Sequence, residues 1–152
     1  MATVIPLVPT SPCGPCTLCC KVMGVKDVTP AGEWCQHAKK SRGCAIYDDR
    51  PQPCRDFQCL WVMGQFGEGA VELRPDRLHA VVTRTKDGTN IVVYEDAGWR
   101  GHARAFLHDT IRTYTRGDVK NYVIVVCGEE RVFYGWKKQF EALQAQDSQW
   151  GT

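Results

Sequence analysis

The sequence of 152 residues has no long apolar run and no excess of charge of one sign. A membrane-spanning helix needs about 20 consecutive apolar residues, and the chain offers no such stretch. Its formal net charge is +2, and the charges divide evenly between the two halves. The composition therefore lacks the broad basic surface that is typical of proteins binding nucleic acid or anionic membranes.

Common catalytic patterns are also missing. The second half of the chain shows no Ser/His/Asp order, no glycine-rich phosphate loop and no pair of carboxylates placed for acid–base chemistry. We also find no internal repeat and no low-complexity segment. Whether the protein is an enzyme stays open at this point.

The N-terminal segment MATVIPLVPTSP has no basic residues ahead of its apolar ones and is interrupted by three prolines. It does not have the pattern of a secretory signal, and we expect residues 1–12 to form an extended, exposed arm. We therefore expect a cytoplasmic protein. In that reducing compartment thiols stay free unless a metal binds them.

Cysteine is abundant, and nearly all of it lies in one stretch. Eight of the nine cysteines fall within that stretch: Cys13, Cys16, Cys19, Cys20, Cys35, Cys44, Cys54 and Cys59. A hydrophobic core has no need of so many oxidisable side chains, so these thiols should be cross-linked, metal-bound or reactive. The expected compartment favours metal, with a secreted disulfide scaffold as the alternative. All eight are therefore candidate metal ligands.

The spacing suits metals that take four sulfur ligands. Cys13, Cys16 and Cys19 follow one another at intervals of three residues, so neighbouring sulfurs can converge on one ion. Four thiolates hold a zinc ion, and four can equally hold an iron–sulfur cluster. We predict one or two zinc ions, with an iron–sulfur cluster as the alternative. The adjacent Cys19 and Cys20 should diverge and serve different sites, unless one is a buried free thiol.

Three better-known cysteine motifs fit less well. The CGPC of residues 13–16 matches thioredoxin-like proteins, but a proline-rich segment precedes it where that motif needs a strand. A bacterial ferredoxin would have a fourth cysteine followed by proline, and here Cys20 follows Cys19 directly. The CxxxCxxC spacing of radical enzymes is absent.

Residues between the cysteines have subsidiary roles. His37 could be a zinc ligand but is more simply a loop histidine. Arg50 and Arg55 flank Cys54 and could compensate the charge of a thiolate-rich site, although Arg50 could instead pair with a neighbouring aspartate. We expect three aromatic side chains to form a dry shell around the metal: Tyr47, Phe57 and Trp61. Cys127 ends an apolar run and should be a core residue.

Several blocks of this stretch occur in a recognisable order: CGPCTLCC, then Trp34-Cys35, then GCAIYDDRPQPCRDFQCLW. Together they cover residues 13–61 and resemble the CxxCxxCC cysteine-cluster family, the YkgJ-like zinc- or iron-chelating domain. The resemblance implies metal binding by the cysteines that match its spacing: Cys13, Cys16, Cys35, Cys44, Cys54 and Cys59. Family members are often called iron–sulfur oxidoreductases, and a related cluster occurs in flagellin lysine methylases. A redox or transferase activity is therefore an alternative.

The remainder of the chain predicts an α+β fold. Residues 79–85 and 90–95 flank an Asp-Gly turn and indicate a hairpin. Residues 122–126 and 131–134 indicate a second hairpin, with a main amphipathic helix over 99–116 and a short helix over 136–146. We predict an irregular metal-binding module over 1–69, in which 35–44 is a surface loop. A small antiparallel sheet of two hairpins over 70–152 should pack with it as one compact unit.

The polar face of the main helix is basic. It carries Arg100, His102, Arg104, His108, Arg112 and Arg116. Such a face could bind RNA, which makes a nucleic-acid adaptor the third and lowest alternative, but a solvated helix surface explains it more simply. His79 should be structural, and the pattern names no partner.

Overall fold

The computed structural model describes residues 13–117 and 120–147. For residues 146 and 147 it describes the backbone alone. The predicted arm over residues 1–12 lies outside the described residues. The helices are α1 (Cys19–Val22), α2 (Gln52–Asp56), α3 (Pro75–Leu78), α4 (His102–Phe106), α5 (His108–Tyr114) and α6 (Lys137–Asp147). The strands are β1 (Ala38–Lys39), β2 (Gly43–Cys44), β3 (Ala80–Arg84), β4 (Ile91–Glu95), β5 (Val123–Cys127) and β6 (Glu130–Tyr134).

Both predicted hairpins are confirmed. Strands β3 and β4 pair antiparallel, as do β5 and β6. In the first turn the Asp87 carboxylate accepts a hydrogen bond from the Thr89 backbone N–H at 3.1 Å. Gly88 follows with a φ of 74°, a backbone conformation that glycine adopts without steric penalty. The Asp-Gly pattern thus forms the turn that the sequence indicates.

The two hairpins do not join into an antiparallel sheet as predicted. The strand order is β3-β4-β5-β6, and the central strands β4 and β5 run parallel, with Ile91 opposite Val123. The prediction was wrong because the chain crosses from β4 to β5 through α4 and α5. A crossover of this kind returns the next strand in the same direction. The sheet is mixed.

The predicted main helix is present as two shorter ones. Leu107 separates α4 from α5 with a φ of −90° and a ψ of 3°. Its N–H still donates to the Ala103 carbonyl and its carbonyl accepts from Ile111, both at 2.8 Å. All three residues are buried against the sheet, at the spacing of an apolar helix face. The apolar spacing over 99–116 therefore marks the buried helix face correctly, and it carries no signal for the break at Leu107.

The core lies between these helices and one face of the sheet. It contains Leu60, Leu78, Ala80, Val82, Val93, Ala103, Leu107, Ile111, Val123 and Val125. Cys127, at the end of β5, is 1 % exposed, as expected of a core residue. Leu60 belongs to this core although it lies within the predicted metal-binding module over 1–69.

The N-terminal half packs on the opposite face of β3. Val81 is fully buried against Leu18, Val22 and Cys59, whereas its neighbour Val82 faces the helices. Successive side chains of a strand point to opposite faces, so one strand serves both cores. The backbone joins them as well, since the Leu60 N–H donates to the Val82 carbonyl at 2.9 Å.

A salt bridge connects the same two parts. Lys21 Nζ in α1 lies 2.8 and 3.0 Å from the two carboxylate oxygens of Asp96, which follows β4. The Asp96 side chain is only 9 % exposed, and it also accepts a hydrogen bond from the Gly98 N–H at 3.0 Å.

No helix within 13–117 or 120–147 has the length and apolar character to cross a membrane.

Glu95 anchors α4 to the sheet. Its side chain is completely buried, and its carboxylate accepts hydrogen bonds from the backbone N–H groups of Gly101 and Arg104, both at 3.0 Å. The Arg104 guanidinium adds a third at 3.2 Å. A buried carboxylate with three donors is fully compensated, and its partners depend on it in turn.

We expect Glu95→Ala to destabilise the protein by about 3 kcal/mol, because it leaves a partly buried guanidinium and two N–H groups without their acceptor. Urea unfolding followed by far-UV circular dichroism measures the change. Glu129→Ala, in the exposed β5–β6 turn, is the matched control and should change stability by less than about 0.5 kcal/mol. Equal effects of the two substitutions would contradict this role of Glu95.

The Lys21–Asp96 pair should make the free energy of unfolding depend on pH in the acidic range. Burial by itself raises the pKa of Asp96, but hydrogen bonds from Lys21 and Gly98 and the Lys21 charge outweigh it, so the pKa is lowered from 3.8. A carboxyl with a lowered folded pKa contributes stability above its unfolded pKa and loses it as pH falls through the folded value. Below about pH 4, wild type should therefore lose more unfolding free energy than Asp96→Asn. Parallel pH profiles for the two proteins would contradict this.

Candidate metal centre

Eight of the nine cysteines line one cavity of about 320 Å³. They are the eight predicted ligands: Cys13, Cys16, Cys19, Cys20, Cys35, Cys44, Cys54 and Cys59. Cys59 is buried and the other seven are half-buried. Within the described residues, which include all nine cysteines, no disulfide forms. The fold thus gathers thiols that are far apart in sequence around one space.

The first four cysteines lie on a tight loop, which holds Cys13 and Cys16, and at the start of α1, which holds Cys19 and Cys20. The Cys16 N–H donates to the Cys13 carbonyl at 3.1 Å, which closes a turn. Leu18 and Val22 are one helical turn apart, and the Val22 N–H donates to the Leu18 carbonyl at 3.0 Å. Because both side chains are buried on β3, they fix the helix and with it the position of Cys19 at its start.

Backbone contacts bring the next two cysteines toward α1. The Cys35 N–H donates to the Cys20 carbonyl at 2.9 Å. The predicted surface loop over 35–44 contains the short hairpin β1–β2, in which Cys44 pairs with Ala38. The Ala38 N–H in turn donates to the Cys35 carbonyl at 3.0 Å. Cys35 and Cys44 are therefore held at the same end of this hairpin.

The last two cysteines are placed by α2 and the loop after it. Cys54 lies in α2, with Pro51 and Pro53 at the helix start where proline is tolerated. Cys59 follows in a turn closed by the Met63 N–H, which donates to the Cys59 carbonyl at 3.1 Å. The Trp61 indole N–H donates to the Ala70 carbonyl at 3.0 Å and holds this loop closed.

Two of the sulfurs accept backbone hydrogen bonds. Burial raises the pKa of Cys16 to about 11, and the N–H groups of Leu18 and Asp76 act in the opposite direction by donating to its sulfur. Burial likewise raises the pKa of Cys59, against N–H groups that include Val62 and Trp61. Such donors stabilise a thiolate, and they are typical of sulfur that is bound to a metal.

The mutual repulsion of thiolate charges shows which sulfurs are close to one another. Beyond burial, the charge of Cys13 raises the pKa of both Cys16 and Cys59. Burial is again the first cause of the raised pKa of Cys54, and three charges add to it, those of Cys20, Cys35 and Cys44. The cavity wall therefore contains two neighbourhoods of thiols.

Cys19 and Cys20 lie where these neighbourhoods meet. A hydrogen bond between the two thiols raises the pKa of Cys19 and lowers that of Cys20 to about 7. The two sulfurs therefore influence each other directly, and the expectation that Cys19 and Cys20 serve different sites stays a prediction. Their other neighbours still differ, since the charges of Cys13 and Cys16 act on Cys19, whereas Cys20 acts on Cys54.

Arg50 supplies positive charge at the cavity wall. Its guanidinium stacks on the Tyr47 ring at 3.7 Å and donates to the Tyr47 carbonyl at 2.7 Å. Its charge lowers the pKa of Cys20, after the larger effects of the Cys19 hydrogen bond and of burial. Arg55 instead donates to the backbone carbonyls of Asp48 and Arg50, both at 2.8 Å. Of the two arginines, Arg50 has the position to compensate thiolates.

The other predicted neighbours also lie at the cavity. Its wall includes His37 and the three aromatic residues Tyr47, Phe57 and Trp61. Apolar side chains enclose the space further, among them Val25, Ile46 and Val81. Apolar groups around a site lower the local dielectric and strengthen electrostatic interactions there.

The side chains as they stand surround a space and do not converge on a point. Among the described residues, no group of three or more His, Cys, Asp or Glu side chains is arranged to hold a metal ion directly. Zinc requires deprotonated sulfurs at about 2.3 Å from a common centre. Protonated thiols are not drawn to a common centre. The residue types and their grouping around one cavity fit a metal bound by sulfur, whereas the present distances between the side chains do not.

Two contacts at the cavity were not predicted from the sequence. Asp76, at the start of α3, donates its N–H to Cys16. Thr17 is buried and its hydroxyl accepts from the Ser41 N–H at 3.2 Å, which joins the first cysteine loop to the β1–β2 hairpin. Neither has a local signal, because both partners come from distant parts of the chain.

The predicted basic helix face is partly neutralised. Arg104 pairs with Glu95 and with Glu130, and Arg100 pairs with Glu130 as well. His79, expected to be structural, stacks on Trp99 with 3.7 Å between ring centroids. These side chains are engaged within the protein.

No family model matches this chain, and neither does any curated protein or solved structure. The resemblance to the CxxCxxCC cluster family therefore rests on residues 13–61 alone and stays a prediction.

Proposed function

We propose that this is a metal-binding protein that holds zinc through the thiolates lining the cavity. The observation that carries the proposal is the selective grouping of its cysteines. Eight residues of one type, drawn from two helices, one hairpin and the loops between them, line a single space, whereas the ninth is buried in the sheet as an ordinary core residue. Packing alone has no reason to collect thiols in this way.

The weak internal structure of this half supports a stabilising role for the metal. Between residues 13 and 62 each helix or strand has only two to five residues. The buried hydrophobic side chains there are Leu18, Val22, Cys59 and Leu60. A segment with so small a core does not offset the conformational entropy lost on folding. A structural zinc site contributes on the order of 10–16 kcal/mol of binding free energy to this balance.

The electrostatics of the cavity also suit zinc bound by thiolates. Four thiolates around Zn²⁺ leave a net charge near −2 on the site, which needs compensation in an apolar enclosure. Backbone N–H groups at Cys16 and Cys59 and the guanidinium of Arg50 supply it. The same groups would favour deprotonation of the thiols when the ion binds.

An iron–sulfur oxidoreductase or transferase is the second candidate. The N–H groups that donate to Cys16 and Cys59, together with the apolar wall, favour it. Hydrogen bonds to sulfur and exclusion of solvent are the features that set the potential of such clusters. Zinc and iron accept the same four thiolates, so the metal itself distinguishes the two functions.

Metal analysis of protein purified without oxygen is the direct test. We expect zinc in the preparation, no iron, and no absorption in the visible range. Iron together with visible absorption would favour the iron–sulfur candidate over zinc binding. Fully folded protein that contains neither metal would contradict both.

Removal of zinc should unfold one half of the protein selectively. After treatment with a strong chelator, we expect backbone amides of residues 13–62 to lose protection from hydrogen exchange, because their own core is too small to hold them. The amides of β3 to β6 should keep most of theirs. Cys127→Ala is the matched control, since it removes a buried thiol from the sheet and should leave the zinc content unchanged. Unaltered protection of residues 13–62 after chelation would contradict a structural role.

A further inference from the structure

The cavity thiols separate into two sets by their position in the fold. Cys16, Cys19 and Cys59 pack together in the apolar cluster on β3 that is built on Leu18, Val22 and Val81. The turn between Cys13 and Cys16 adds Cys13 to this group. These four residues form the inner set, and it contains the most deeply buried cysteine of the cavity.

The remaining four thiols lie outside that cluster. Cys20 and Cys35 are joined by the backbone hydrogen bond between them, and Cys35 and Cys44 by the end of the β1–β2 hairpin. Cys54 lines the same cavity from α2 and lies outside the apolar cluster on β3. These residues form the outer set. They are half-buried, and loops and short elements carry them.

From this separation, and on the basis of the proposed zinc binding, we infer that the protein binds two zinc ions in two separate four-thiolate sites. The inner site consists of Cys13, Cys16, Cys19 and Cys59. The outer site consists of Cys20, Cys35, Cys44 and Cys54.

The stoichiometry of zinc coordination agrees with this division. Zinc in structural sites takes four ligands, so one ion would leave half of the cavity thiols unused. The boundary between the sets passes between Cys19 and Cys20, which are consecutive in α1. Consecutive helical residues point about 100° apart around the helix axis. Two such side chains fit two neighbouring ions better than one tetrahedral centre.

The two sites should differ in how firmly they hold their ion. The inner site is anchored to β3 by buried apolar side chains, and two of its sulfurs accept backbone N–H groups. The outer site relies on short elements, and its charge is compensated by Arg50 at the surface of the cavity. Rigid, hydrogen-bonded ligands retain metal better than mobile ones. The outer ion should therefore be the first to leave.

Zinc content of serine variants tests the assignment. Wild type should contain two zinc ions per chain by elemental analysis and by native mass spectrometry. Cys44→Ser, Cys54→Ser and the double variant should each contain one, because all three disrupt the same outer site. Cys127→Ser should keep both ions. Circular dichroism of the sheet confirms that each variant is folded, and the inner site remains intact in all of them.

Cadmium-113 NMR and release kinetics supply measurements that need no disruptive variant of the inner site. Wild type loaded with ¹¹³Cd should show two resonances in the range of four-sulfur coordination, and Cys54→Ser should lose one of them. Zinc release to a chromogenic chelator should have two phases, of which Cys54→Ser retains the slow one. Arg50→Gln should accelerate only the fast phase. Arg42→Gln, which changes an exposed arginine in the turn between β1 and β2, should alter neither phase.

The outcomes separate this inference from the zinc proposal. One zinc ion in wild type would overturn the two-site assignment and leave zinc binding intact. Loss of both ions in Cys54→Ser would also overturn it, because it would indicate one cluster with shared thiolates. Folded wild type without zinc would overturn the proposed function itself, and the two-site assignment with it.

Discussion

The packing of the cysteine half against Val81 is the contact on which the rest of the structure depends. Val81 and Val82 are consecutive in β3 and point to opposite faces of the sheet. Val82 belongs to the core under α4 and α5, and Val81 to the cluster with Leu18, Val22 and Cys59. One strand thus supports both halves, and the buried Lys21–Asp96 pair reinforces the junction. The thiols are positioned from a rigid sheet although their own segments are short.

A conflict between folding and charge follows from this arrangement. The fold brings eight thiols around one cavity, and burial together with the charge of neighbouring thiolates raises the pKa of three of them, Cys16, Cys54 and Cys59. Backbone N–H groups and Arg50 act in the other direction. A bound cation would resolve the conflict, because it removes the protons and replaces repulsion by attraction to a common centre.

In the half of the protein that contains the four-stranded sheet, buried polar groups form hydrogen bonds within the protein. Glu95 is completely buried and receives three hydrogen bonds from the start of α4. Those bonds fix the crossover that makes β4 and β5 parallel neighbours. Arg104 of the same helix forms ion pairs with both Glu95 and Glu130. Part of the basic face therefore stabilises the fold.

The sequence by itself determined the local features. The Asp-Gly turn, both hairpins, the buried face of α4 and α5, and the core position of Cys127 depend on residues close together in the chain, and periodicity reports such features directly. It also singled out the eight cavity cysteines, because their number and spacing are unusual. Only the tertiary structure decided the parallel pairing of β4 and β5, the contact of Asp76 with Cys16, and the grouping of Cys13 with Cys59 and of Cys20 with Cys54. These depend on how distant segments pack around β3, and spacing along the chain carries no information about which distant partners meet.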